Sequence, residues 1–232
     1  MPERHVIALG GGGFSMEPDR LVFDEYILQH SRSPRPRVCL LPTATGDSRQ
    51  MIEGFAKAYG VFDCELFCLT LFGTTVTDFR EYLLSMDVIY VTGGHTRNML
   101  SIWRTWELDK ILAEAHEAGV VLAGVSAGAA CWFEAAMTDS VPGKLSRDEC
   151  LGILPGSFCA HFENTGRRPE FLRQIGERIL PAGYGVQNFA GLHFVNGRLH
   201  TGIVESAHAG ASHFELANGD VIEKVIGSVY IS

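Results

Sequence analysis

The sequence predicts an α/β fold: three layers, with a mostly parallel sheet carrying helices on both faces and antiparallel hairpins added at the C-terminal end. Three observations predict it. Over residues 1–135, short apolar runs alternate with longer stretches of helical spacing, the rhythm of parallel strands joined by crossover helices. After residue 180 that rhythm gives way to alternating runs broken by Asn-Gly pairs. The chain has 232 residues, 46% of them hydrophobic and 20% charged, enough apolar material for one large buried core.

Five apolar runs are the expected parallel strands: "HVIALG" (His5 to Gly10), "RVCLLP" (Arg37 to Pro42), "CELFCLTL" (Cys64 to Leu71), "DVIYVTG" (Asp87 to Gly93) and "GVVLAGV" (Gly119 to Val125). Strands buried on both faces read as continuous apolar runs. The stretches between them place one apolar side inward: Leu21, Val22, Tyr26 and Ile27; then Met51, Ile52, Phe55 and Ala56; then Leu108, Ile111, Leu112 and Ala115. The segment after Val125, "SAGAACWFEAA", has helical character. Asn196-Gly197 and Asn218-Gly219 each sit between alternating runs, a strong short-range hairpin signal. Neither a repeat nor a linker interrupts residues 1–232, so one domain is expected.

Charge narrows the function. With 19 basic and 27 acidic residues, the net charge is 19 − 27 = −8, and a nucleic-acid binder needs a basic face. No apolar stretch approaches the ~18 residues of a membrane span, and "MPERHVIALG" has no secretion-signal pattern. Six cysteines (Cys39, Cys64, Cys68, Cys131, Cys150 and Cys159) form no CxxC pair and no zinc spacing. A reducing cytoplasm is the expected compartment.

Two glycine-rich turns follow strands. "ALGGGGFS" lacks the third glycine, the helix start and the downstream acid of a dinucleotide site; its glycines are expected to let the loop pass close to another backbone. "TGGHTRNML" (Thr92 to Leu100) ends a strand and opens a helix, so an N–H of Gly93-Gly94 can face the cleft at the strands' carboxyl ends.

The chemistry centres on Gly124-Val125-Ser126-Ala127-Gly128, a G-x-S-x-G pattern after a buried strand. Small flanking residues allow the sharp turn that lifts a serine oxygen out of the sheet and points the next N–H at a developing oxyanion. The alternative is a packing serine in a tight turn. A nucleophilic serine needs a base. Of nine histidines, His161 closes a short apolar run beside loop residues and is the best placed. His193 and His200 alternate along hairpin strands; His5, His30 and His116 look like surface or element-end residues; His208 and His213 lie in or near a loop.

"LPTATGDS", "YVTGGHTRNML", "GVVLAGVSAGAACWF" and "HF-x(4)-RR", in this order, resemble the aspartyl dipeptidase (peptidase E) family, which includes the cyanophycinases. The resemblance spans essentially the whole chain. It implies a class I glutamine-amidotransferase-like fold and cleavage of short peptides, with N-terminal aspartate, by a serine–histidine–acid triad through an acyl-enzyme. By the same resemblance Ser126 is the nucleophile, His161 the base, and Gly94 and Ala127 the oxyanion-hole amides. Asp139 and Glu163 are both candidates for the acid, Asp139 slightly favoured. Arg167, Arg168 and Arg173 are candidates for reading a substrate carboxylate, Arg168 first. No metal or organic cofactor is required, short peptides are the expected ligands, and a homodimer is left open. Two alternatives remain: a catalytically silent member that binds a ligand or partner, and a thiol enzyme using Cys131.

Overall fold

Alternate side chains of the first strands are buried on opposite faces, and the layers follow from that. The structure is a computed structural model that describes residues 2–232. In chain order its elements are β1 (His5–Leu9), α1 (Val22–Gln29), β2 (Arg37–Leu41), α2 (Arg49–Tyr59), β3 (Glu65–Cys68), α3 (Phe79–Leu84), β4 (Val88–Val91), α4 (Thr96–Thr105), α5 (Leu108–Ala118), β5 (Val121–Val125), α6 (Ala127–Ala130), β6 (Phe133–Val141), β7 (Lys144–Glu149) and β8 (Leu154–Cys159). There follow α7 (Arg167–Gly176), β9 (Gly183–Val186), β10 (Ala190–Val195), β11 (Arg198–Val204), β12 (Ala211–Ala217), β13 (Asp220–Val225) and β14 (Ser228–Tyr230).

The larger sheet runs β14-β11-β10-β1-β5-β4-β2-β3. Its five N-terminal strands pair in parallel, while β10 is antiparallel to β1 and to β11. On one face Ile7, Leu9, Val38, Leu40, Val88 and Tyr90 pack with Phe23 of α1 and with Phe55 and Tyr59 of α2. On the other, Val6, Ala8, Cys39, Leu41, Ile89 and Val91 pack with Leu100 and Trp103 of α4 and Leu108 and Leu112 of α5. This is the expected α/β arrangement. The helices are rotated slightly from expectation: α1 turns Phe23, Asp24 and Ile27 inward, and α2 turns Phe55, Ala58 and Tyr59 inward and leaves Ala56 exposed.

A second sheet runs β13-β12-β9-β8-β6-β7, and of it the sequence signals only the β12–β13 hairpin. The helical run expected after Ser126 stops at Ala130, and β6 begins at Phe133. Carbonyls that would continue the helix are taken by a later segment: Leu151 N–H donates to Cys131 O at 2.9 Å, Leu154 N–H to Trp132 O and Gly152 N–H to Phe133 O, both at 2.8 Å. Phe133 then stacks on Phe158 with ring centroids 4.9 Å apart and meets Phe194 of the larger sheet edge-on at 5.6 Å. Those aromatic contacts pack the second sheet onto the first. Both Asn-Gly hairpins form as expected, with positive φ at Asn196, Gly197, Asn218 and Gly219.

Two histidines are inside, His116 as an element-end residue and His193 as a core residue of its hairpin strand. His116 is buried at the end of α5. His193 is buried between His5 and Tyr26, whose hydroxyl lies 2.9 Å from its Nδ1. No helix among the described residues is long and apolar enough to cross a membrane.

Carboxylates are buried behind the first glycine loop. Asp24 and Glu205 are almost wholly inaccessible. Burial pushes the Asp24 carboxyl up to about 6, and burial, followed by the neighbouring Glu17, pushes Glu205 up to about 7, against a smaller opposing effect of Arg20. A carboxyl raised above its unfolded value favours folding at low pH, and that contribution is lost as pH rises through the folded value. For Glu205 the window runs from about 4.5 to about 7. Thermal melts of Glu205→Gln should therefore coincide with the parent at pH 5 and lie a few degrees above it at pH 8. A variant less stable than the parent at pH 8 would contradict this assignment.

Candidate active site

Ser126 sits between β5 and α6 with φ 54° and ψ −111°, a conformation that costs a non-glycine residue roughly 1–3 kcal/mol. The turn is forced by crowding. A Cβ at Gly124 would strike the Gly128 carbonyl, and one at Gly128 would lie 2.6 Å from the carbonyl carbon of Val91. Both glycines flanking the elbow are thus needed for backbone to pass backbone. Ser126 N–H is tied to Leu9 O of β1 at 2.9 Å.

The Gly93-Gly94 turn closes one side. A Cβ at Gly93 would be 3.4 Å from Ser126 Cβ, and Gly94, at φ 137°, has no room for one because the Ala44 carbonyl fills the place. His95 N–H donates to that carbonyl at 2.8 Å. His95 also starts α4, its Nδ1 accepting from Asn98 N–H at 3.3 Å. Among the described residues, no backbone carbonyl accepts the N–H of Gly94 or Ala127.

His161 arrives from the second sheet, just beyond β8, with φ 50°. Its N–H donates to Gly10 O at 3.3 Å, and Phe162 N–H donates to Val186 O at 3.1 Å. The ring is held from both sides: Nε2 lies 2.9 Å from Ser126 Oγ and Nδ1 lies 2.6 Å from Asn188 Oδ1. Ser126 and His161, from different sheets, are therefore brought together.

Neither carboxylate named from the sequence touches the imidazole. Asp139 is three-quarters exposed on β6 and bonds Arg167 at 2.9 Å. Glu163 accepts the Asn188 N–H at 3.0 Å, one residue removed from the ring. The residue at Nδ1, Asn188, lies in the loop from β9 to β10, and sequence reasoning missed it. "VQNFAG" carries no signal for it, because a neutral amide between two strands looks like ordinary loop.

The three arginines are all engaged by acids. Arg167 is buried against Asp139, Arg168 pairs with Glu223, and Arg173 pairs with Glu170 and Glu177 along α7. Of the three, Arg168 lines a cavity of about 440 Å³ together with Phe162, Glu163, Gln187 and Glu223. A smaller cavity of about 190 Å³ adjoins it, lined by Glu163, Gln187, Asn188 and His208. Cys131 is fully buried, its thiol donates to Gly128 O at 3.2 Å, and burial pushes it well above the usual thiol range. That is the environment of an inert packing cysteine.

The model of peptidase family S51 matches residues 6–202. The chain belongs to peptidase family S51. It is 45% identical over 221 residues to the uncharacterized peptidase YgaJ of Bacillus subtilis (strain 168), covering 95% of this chain and 96% of that one. Its fold is similar to that of a peptidase from an acI-B1 Actinobacterium, with TM-score 0.71 and 16% identity over 99% of this chain and 96% of that one. A Listeria monocytogenes EGD-e protein assigned to peptidase E is similar in fold too, with TM-score 0.64 and 19% identity over 85% and 96% of the two chains. The family expected from the four sequence motifs is thus the one found, and the chain is a peptidase.

The strain at the elbow has a measurable cost. Ser126→Gly exchanges the strained serine for the residue that tolerates positive φ, against the extra chain entropy of glycine, for a net gain of about 1 kcal/mol. Its melting temperature should exceed the parent's by roughly 2–4 °C. A lower melting temperature would show that the elbow is relaxed.

Proposed function

We propose that this S51 peptidase is a serine exopeptidase that hydrolyses short peptides, with Ser126 as nucleophile and His161 as general base. The observation that carries the reading is the 2.9 Å approach of His161 Nε2 to Ser126 Oγ on a strained elbow. His161 takes the hydroxyl proton as Oγ attacks the scissile carbonyl carbon. The carbonyl oxygen becomes an oxyanion that the N–H groups of Gly94 and Ala127 receive. Collapse breaks the C–N bond, and His161 returns its proton to the leaving amine. Water then attacks the acyl-enzyme, His161 takes its proton, and Ser126 is released protonated with the new carboxylic acid. Every step uses groups of this chain and water.

Ser126→Ala and His161→Ala should each lower kcat on short peptides by at least about a thousandfold, because members of such a set act as a unit. A fluorophosphonate should add one phosphonyl group to the parent and none to Ser126→Ala, read by intact mass. A parent that hydrolyses no peptide and takes no label would make this a silent member of the fold.

Preference for an N-terminal aspartate would fall to Arg168, the arginine that lines the larger cavity. A guanidinium fork suits a carboxylate, and this one would exchange Glu223 for the substrate. Arg168→Met should then lower kcat/KM for Asp-X dipeptides by roughly ten- to a hundredfold and leave Ala-X and Leu-X within about twofold. Should the parent itself show no preference for Asp-X, Arg168 serves only its ion pair with Glu223.

A further inference from the structure

The sequence motifs call for an acid beside the histidine, and the structure puts an amide there. We infer that Asn188 is the residue that positions His161: its side-chain oxygen accepts the Nδ1–H, holding the ring in the tautomer whose bare Nε2 faces Ser126. This rests on the reading of Ser126 and His161 as the reacting pair. In this reading Asn188 is a positioning residue that acts through the ring.

Four observations converge on it. Asn188 Oδ1 is 2.6 Å from Nδ1. The nominated acids are occupied elsewhere, Asp139 by Arg167 and Glu163 by the Asn188 backbone. The loop bearing Asn188 is anchored around it: Glu163 Oε2 takes its N–H at 3.0 Å, Phe189 N–H donates to Gly11 O at 2.9 Å, and Glu205 N–H donates to Phe189 O at 3.1 Å. Phe189 holds φ 60° to make that turn. Finally, the first glycine loop is cut to fit. A Cβ at Gly11 would collide with Asn188 Oδ1 and lie 3.2 Å from His161 Cε1. A glycine there leaves the amide its place against the ring.

An amide oxygen does half of what a carboxylate does. It accepts the hydrogen bond and so selects tautomer and ring orientation. Being neutral, it adds no charge attraction to the imidazolium that forms when His161 holds the serine proton. Among the described residues, the titratable groups beside this arrangement are Glu163, on the same loop as His161 and engaged with the Asn188 N–H, and His208, which lines the small cavity with Asn188.

The test pairs kinetics with nitrogen NMR of the histidine ring, using the whole chain. Asn188→Leu keeps the shape and removes the acceptor; kcat on a short peptide should fall about ten- to a thousandfold with KM within about twofold. Asn188→Asp restores an acceptor and adds charge, so it should keep turnover at the alkaline end while the acid limb of the kcat profile moves up by about one to three pH units. The parent ring should show the Nδ1–H tautomer, and Asn188→Leu should lose it. An Nε2–H tautomer in the parent, or full kcat and an unchanged ring signal in Asn188→Leu, would overturn the inference. So would an acid limb moved by Glu163→Gln and left in place by Asn188→Asp. The ring signal does not depend on turnover. A parent that cleaves no peptide but shows the Nδ1–H tautomer, lost in Asn188→Leu, counts against the peptidase reading and for the positioning bond.

Discussion

Close approach of backbone to backbone at the carboxyl ends of β4 and β5 is the constraint on which the site depends. Two parallel strands deliver their chains side by side, and α6 must start in the gap between them. Gly128 lies against Val91 and Thr92, and Gly124 lies against Gly128. With any side chain at these places the elbow would move away from the sheet, and Ser126 would lose its tie to Leu9. The positive φ at Ser126 is a consequence of that crowding: the chain has to reverse within one residue. Interior packing supplies the energy that holds a strained residue in place. The surrounding layer of fully buried Val91, Leu122, Ala123 and Ala129 is rigid enough to do so.

The second constraint is the fit of the two sheets. Ser126 belongs to the larger sheet, His161 follows β8 of the smaller one, and Asn188 lies where the chain passes from β9 back to β10. The 2.9 Å contact between serine and histidine is therefore an inter-sheet distance. It is set by packing elsewhere: Phe133 and Phe158 stacked, with Phe194 edge-on to Phe133 and Tyr184 edge-on to Phe194 at 5.5 Å. The first glycine loop completes the link, since Gly10 O takes the N–H of His161 and Gly11 O that of Phe189. On the proposed mechanism, a slip of about 1 Å between the sheets would cost much of the rate, since catalysis by positioned groups depends steeply on geometry. The aromatic cluster thus sets the serine–histidine distance from outside the site.

The parallel half of the fold was legible because doubly buried strands write themselves as unbroken apolar runs, and both Asn-Gly hairpins because their turn type demands those residues. Ser126 and His161, which the structure brings together, stand out by local context, one at a glycine-flanked elbow and the other at the end of an apolar run. Of the second sheet, only the β12–β13 hairpin was legible. Its first hairpin carries Pro142-Gly143 between β6 and β7, a turn signal that was there to use. The small residues before it mimic a helix, and long-range capture of the carbonyls from Cys131 to Phe133 decides the matter. The acids that the family resemblance implies, Asp139 and Glu163, are engaged away from the ring. What lies within reach of Nδ1 is decided by how the β9–β10 loop crosses the β8 end, and sequence spacing does not carry that information.

An amide at position 188 also fits the local electrostatics. Glu163 already brings one carboxylate to within a hydrogen bond of the Asn188 backbone, and the chain carries a net charge of −8. A second carboxylate at 188 would sit close to the first, and like charges at such distance disfavour ionisation of both. Two functions that a single acid combines are then separated in this site. Asn188 orients the ring through a neutral bond, while Glu163 holds the loop and lines both cavities. The histidine contact on one side and the open cavity on the other belong to different residues, so the charge lining the cavity can change without disturbing the bond that orients the base.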